Sequence, residues 1–266
     1  MENENFTIFF DMDGTLTLND DLNSCFVPGC SWQALKELKK ANHNLIVCTG
    51  RQPSFVKSIF GDFFDGMITL CGNYIEYENK KIFHTYLSEE RINYIIHTYQ
   101  KFCVTCCLVG INDVQVIGFK QENLIRVKNN YSADTKIHLD SYENQFEVSI
   151  MDFFFDNYYE YELCRPYFTD DMTVNIHNEI RLPSDATFNY ANKGEGIKKV
   201  IDYLEIDKNK TIAFGDGIND IPMFKEVGTS IAMGNGVEQA KQAANYVAKD
   251  VDKSGILEIS KMLNLI

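Results

Sequence analysis

Three short polar signatures stand out by residue type and spacing. They are Asp11-Met12-Asp13-Gly14-Thr15, Thr49-Gly50-Arg51 and Gly215-Asp216-Gly217-Ile218-Asn219-Asp220. Each follows directly on a short apolar, β-prone run: Phe6-Thr7-Ile8-Phe9-Phe10, Leu45-Ile46-Val47-Cys48 and Thr211-Ile212-Ala213-Phe214. An Asp-x-Asp or Gly-Asp-Gly taken alone is most often a turn, because Asp and Gly are turn formers. Three of them together deliver acids, a hydroxyl and glycines to one sheet edge, which core packing does not require. In open α/β sheets the carboxyl edge of the strands is where ligands bind.

The elements that must position these residues alternate in the same way. Continuously apolar runs suit central strands buried on both faces. Between the first two lies a helical pattern over Pro28–Asn42, with Trp32, Leu35 and Leu38 spaced around lysines. A helix at about 53–60 and a strand around Gly66–Leu70 follow, giving βαβαβ, half of a doubly wound fold. A hairpin is expected from 73–77 and 81–85. The middle then loses the helix-after-strand rhythm: a helix from Ser88 to about Cys103, strand-like runs near 104–109, 113–119, 145–151 and 172–183, and dense aromatics such as Phe153-Phe154-Phe155 and Tyr158-Tyr159-Glu160-Tyr161. Those aromatics read as a small core of their own. After Pro183 the rhythm returns, with a helix over Lys193–Leu204, the third apolar run, and further strands at Ser230–Met233 and Tyr246–Val247 separated by helices. The expected architecture is α/β: a Rossmann-like doubly wound parallel sheet, residues 1–79 and 186–266, interrupted by an α+β domain at 80–185.

Composition narrows the function. Among 266 residues, 25 Lys and Arg face 38 Asp and Glu, a formal charge of −13. That balance excludes a general nucleic-acid binder and disfavours an anionic membrane surface. The acidic, polar start and the lack of any long apolar stretch predict a soluble, cytoplasmic protein. The eight cysteines read as buried reduced thiols. Cys103-Val104-Thr105-Cys106 has a C-x-x-C spacing, but no second pair or nearby histidine completes a zinc set. The five histidines, at 43, 84, 97, 138 and 177, show no i,i+4 pair.

With Lys193 added, these signatures resemble the four motifs of the haloacid dehalogenase superfamily, in order and context over the whole chain: Asp11–Thr15, Thr49, Lys193 and Gly215–Asp220. Only 35 residues separate Asp13 from Thr49, against 143 between Thr49 and Lys193. The insertion between the second and third motifs is similar to the large α/β cap of the Cof-type subfamily. The resemblance implies that Asp11 attacks phosphorus and forms an aspartyl-phosphate, while Asp13 protonates the leaving oxygen and then deprotonates water. An aspartate at 13 also argues against a halide-releasing member. Mg²⁺ would be held by the Asp11 side chain, the Asp13 carbonyl and Asp216, with Asp220 ligating or holding a metal water. Thr49, the Gly50 amide, Lys193 and Asn219 would hold phosphate oxygens, Lys193 at a helix start where amides and dipole favour anions.

The implied function is Mg²⁺-dependent hydrolysis of small phosphorylated metabolites such as sugar phosphates, by a monomer or small homo-oligomer. A phosphosugar mutase using the same aspartyl-phosphate is the alternative enzyme, and a non-catalytic phospho-ligand sensor the alternative class. Arg51 is placed to reach substrate or to pair with an acid. Asn73 stands where the subfamily tends to show Asn-Gly-Ala, but the order here is Gly-Asn-Tyr.

Overall fold

A computed structural model of the chain describes residues 5–19, 25–102, 104–118, 120–139, 142, 146–170, 172–176, 183–188 and 192–266. The expectations for residues 1–4, Cys103, His177 and the middle of the 172–183 run lie outside the described residues. The chain forms two compact units, one of residues 1–49, 62–82 and 192–266, the other of 50–61 and 83–191. Residues 50–61 thus group with the second unit, although chain order places them among the elements of the first.

In the first unit the apolar runs become adjacent parallel strands. The sheet runs in the order Tyr246–Val247, Thr229–Ala232, Thr211–Gly215, Thr7–Phe10, Asn44–Cys48, Gly66–Thr69, Tyr74–Tyr77, Lys80–His84. From Tyr246–Val247 to Gly66–Thr69 the pairing is parallel, and Tyr74–Tyr77 then pairs antiparallel. Every residue of Thr7–Phe10 and Thr211–Gly215 is buried, as strands covered on both faces require. Phe10 lies opposite both Phe214 and Val47, and its ring stacks on Phe214 at 5.0 Å. Strand order reverses at Thr7–Phe10, so the loops leaving it and its neighbours diverge there and open a crevice. The helices Gly29–Lys40 and Gly255–Met262 pack together, as do Lys193–Leu204 and Ile221–Glu226.

The second unit has its own sheet, ordered Lys136–His138, Asp113–Ile117, Thr105–Val109, Ile150–Phe154, Pro183–Phe188, Met172–Ile176. Ile92, Ile95 and Tyr99 of the helix Glu89–Tyr99 cover Cys106, Leu108, Met151, Phe153 and Phe155. The aromatic run is buried throughout, with Phe153 and Phe155 joining this cluster and stacking at 5.1 Å, and Phe154 buried beside Arg126. Tyr158 and Tyr159 instead open the helix Tyr158–Cys164 and are exposed. The strand expected at 145–151 starts later, at Ile150, for a hydrogen-bonding reason. The Val148 carbonyl accepts from Leu87 N–H at 2.7 Å, and Ser149 N–H donates to the Val109 carbonyl at 2.8 Å. The short helix Leu124–Asn130 and the strand Lys136–His138 carry too few residues and too little apolar periodicity to be read from sequence. The described cysteines are free thiols, five of them buried. Among the described residues, no helix is long and apolar enough to cross a membrane.

Candidate active site

Asp11 is the first residue beyond Thr7–Phe10, and its N–H donates to the Phe214 carbonyl at 2.9 Å. The chain then folds tightly around the Met12 carbonyl, which accepts from the N–H groups of Leu16 and Thr17 at 2.9 Å and from the Thr17 hydroxyl at 3.0 Å. That turn directs the Thr15 hydroxyl onto Asp216 Oδ1 at 3.1 Å. Gly14 makes the approach feasible: its φ is +87°, and a Cβ there would meet Asp216 Oδ2 at 2.3 Å. Just past the neighbouring strand Thr211–Gly215, Asp220 Oδ2 accepts from the N–H groups of Asp216 and Gly217 at 2.8 and 2.9 Å. Lys193 opens the helix Lys193–Leu204, whose first turn is capped by Asn192 accepting from Glu195 N–H. Its ammonium is buried and donates to Asp11 Oδ1 and, at 2.6 Å, to Asp220 Oδ1.

The charges do not balance. Three carboxylates meet one ammonium, with Asp11 and Asp220 almost fully buried. Burial and the negative charges of Asp220 and Asp216 push the Asp11 carboxyl well above the usual range, against the pull of Lys193. Asp216 is pushed up to about 7 by burial and then by Asp220, with Lys193 and the Thr15 hydroxyl opposing. Burial alone would lower Lys193, but Asp11 and Asp220 outweigh it and hold the amine well above its ordinary value. Such a site favours additional positive charge.

The model of the haloacid dehalogenase-like hydrolases matches residues 8–259. The chain belongs to that family. YkrA of Bacillus subtilis is 29% identical over 260 residues, spanning 97% of this chain and 98% of its own. YitU of the same organism, named a 5-amino-6-(5-phospho-D-ribitylamino)uracil phosphatase, is 24% identical over 271 residues and 98% of each chain. The solved structure of BT4131, described as a HAD subclass IIB sugar phosphatase, matches with a TM-score of 0.82 and 25% identity over 98% of this chain and 100% of that one.

In this haloacid dehalogenase-like hydrolase, one carboxylate oxygen from each of Asp11, Asp216 and Asp220 lies within 4.8 Å of the other two. Hard oxygen donors in that compass, with two carboxyls held above their normal range by burial and by the neighbouring carboxylates, fit a divalent cation. Of the other residues singled out in the sequence, Asp13 is half-buried in the turn beside Asp11, and Asn219 is half-buried in the Asp216 loop. Thr49 is buried, its N–H donating to the Ile68 carbonyl and its own carbonyl accepting from Cys71 N–H. Gly50 follows directly and begins the second unit. Arg51 donates to both the carbonyl and Oδ1 of Asn130 at 2.9 Å and lies over the Phe55 ring. Asn73 is buried and donates to the Leu70 carbonyl at 2.8 Å. Of two further polar residues here, Thr15 stood in the first signature without a role of its own, and Asn235 was not singled out in the sequence. The second was signalled by its place, an Asn between glycines just past the strand Thr229–Ala232.

Proposed function

We propose that this hydrolase is a Mg²⁺-dependent phosphatase of small phosphorylated metabolites, sugar phosphates foremost, acting through an aspartyl-phosphate on Asp11. The observation that carries this reading is the Asp11 carboxylate at the end of the central strand, grouped with Asp216, Asp220 and Lys193. An Asp11 oxygen attacks phosphorus, and the bond from phosphorus to the leaving oxygen breaks. The Asp13 carboxyl gives its proton to that oxygen. Asp13 then takes a proton from water, which attacks the acyl phosphate, frees inorganic phosphate and restores Asp11. Thr49, the Gly50 amide, Lys193 and Asn219 hold the phosphoryl oxygens. The Asp11 side chain, the Asp13 carbonyl and Asp216, with Asp220 beside them, would hold Mg²⁺, which supplies positive charge for the phosphoryl oxygens.

The names of relatives support the substrate class, since one is a sugar phosphatase and another acts on a phosphorylated ribityl compound. The free thiols and acidic surface suit a cytoplasmic enzyme. Phosphate release from p-nitrophenyl phosphate and a panel of hexose phosphates, with Mg²⁺ and with chelator, tests the reading. Release only with the metal is expected, and Asp11→Asn should lower turnover by about 10³-fold or more while the protein stays folded. Isomerised sugar phosphate in place of free phosphate would identify a mutase.

A further inference from the structure

The turn bearing Asp13 combines two demands that oppose each other. Contact with Asp216 excludes any Cβ at position 14, and glycine constrains its own backbone least of all residues. A carboxyl that must meet a leaving oxygen needs a rigid base, so the glycine at 14 has to be held by hydrogen bonds to its own backbone. One tie is local: Gly14 N–H donates to the Thr17 carbonyl at 2.9 Å. The other is long-range, from Asn235 Nδ2 to the Gly14 carbonyl at 2.7 Å. Asn235 Oδ1 in turn accepts from Val251 N–H at 2.9 Å, so both ends of the amide are engaged. The Asn235 loop is itself anchored, with Met233 N–H on the Gly215 carbonyl and Val237 N–H on the Asp216 carbonyl, both at 2.9 Å. One side chain therefore joins the turn of Asp13, a loop held to the backbone at Asp216, and the segment at Val251.

We propose that Asn235 is a positioning residue for Asp13, holding its turn where proton transfer to the leaving oxygen occurs. This rests on the phosphatase reading above. Proton transfer depends steeply on placement, and a misplacement of about 1 Å costs on the order of 10²-fold. It matters only where the leaving group needs the proton. An alkyl phosphate leaves as a strongly basic alkoxide unless protonated, whereas p-nitrophenolate leaves readily as the anion.

The test compares kcat/KM of the wild type, Asn235→Ala and Asn235→Asp with Mg²⁺ on p-nitrophenyl phosphate and on the fastest alkyl ester of a hexose phosphate panel, alongside thermal unfolding. Asn235→Asp keeps the acceptor for Val251 and removes the donor to Gly14. For both variants, kcat/KM on the alkyl ester should fall about tenfold or more, and on p-nitrophenyl phosphate by about threefold or less. Equal losses on the two substrates, or none, would overturn the inference and leave the phosphatase reading standing. Should Asn235→Ala fail to fold, the same comparison on Asn235→Asp decides. A wild type that releases phosphate from neither ester overturns the phosphatase reading and this inference with it.

Discussion

Thr15 shows how a single hydroxyl orients a charge. It donates to Asp216 Oδ1, and so presents that carboxylate in one rotamer toward Asp11 and Asp220. Removing such a support from a metal ligand weakens affinity by about 10- to 100-fold. Thr15→Val keeps the shape, so the Mg²⁺ concentration for half-maximal phosphate release should rise about tenfold while the fold persists; a metal titration beside thermal unfolding checks this. Asp156, in the second unit, is a charge serving structure instead. Burial raises its carboxyl, but hydrogen bonds from Lys120 and Asn123 and the charges of Lys120 and Arg126 outweigh it and hold the group below the usual range. A depressed carboxyl contributes stability that is present above its unfolded value, about 3.9, and lost as pH falls through the folded value. Asp156→Asn should therefore lower stability near neutral pH by about 1 kcal/mol or less. The gap from wild type should close in unfolding curves taken below about pH 4.

Among the elements, the turn Leu70-Cys71-Gly72 sets the distance between two parts of the site. All three residues lie in the left-handed region, at φ of 51°, 54° and 95°. Such backbone is strained by about 1–3 kcal/mol for a non-glycine residue, and it persists where surrounding contacts over-determine it. Here Cys71 N–H holds the Thr49 carbonyl, and Asn73 holds Leu70. Gly72 lies against Asn192, the cap of the helix that begins with Lys193: a Cβ would come within 2.4 Å of the Asn192 carbonyl. Gly72→Ala would push that cap, and Lys193 with it, away from Asp11. Expected are a loss of about 2 kcal/mol or more in stability and a drop in kcat/KM larger than the change in stability explains, read from denaturant unfolding and phosphate release.

For the molecule as a whole, the unbalanced acids make stability and metal binding one quantity. An ion that binds the folded chain alone stabilises it by about 2.7 kcal/mol at a hundred times its dissociation constant. Mg²⁺ should accordingly raise the unfolding temperature of the wild type, chelator should reverse the gain, and a joint Asp216→Asn, Asp220→Asn variant should show none of it. The net charge of −13 sets no obstacle to a phosphate ester, because the acids that matter are those a cation would screen. The amino-acid pattern alone determined the parallel sheet, its interruption and the edge carrying Asp11, Thr49 and Asp216. A run of continuously apolar β-formers must be buried on both faces, and the first acid or glycine after it must lie where the strand ends. Other features followed only from the packed chain: Lys193 on Asp11 across 182 positions, Thr15 on Asp216 across 201, Asn235 on Gly14 across 221, and the grouping of 50–61 with the second unit. Local periodicity reports which face is buried, whereas a hydrogen bond between distant side chains depends on loop paths and rotamers that only close packing selects.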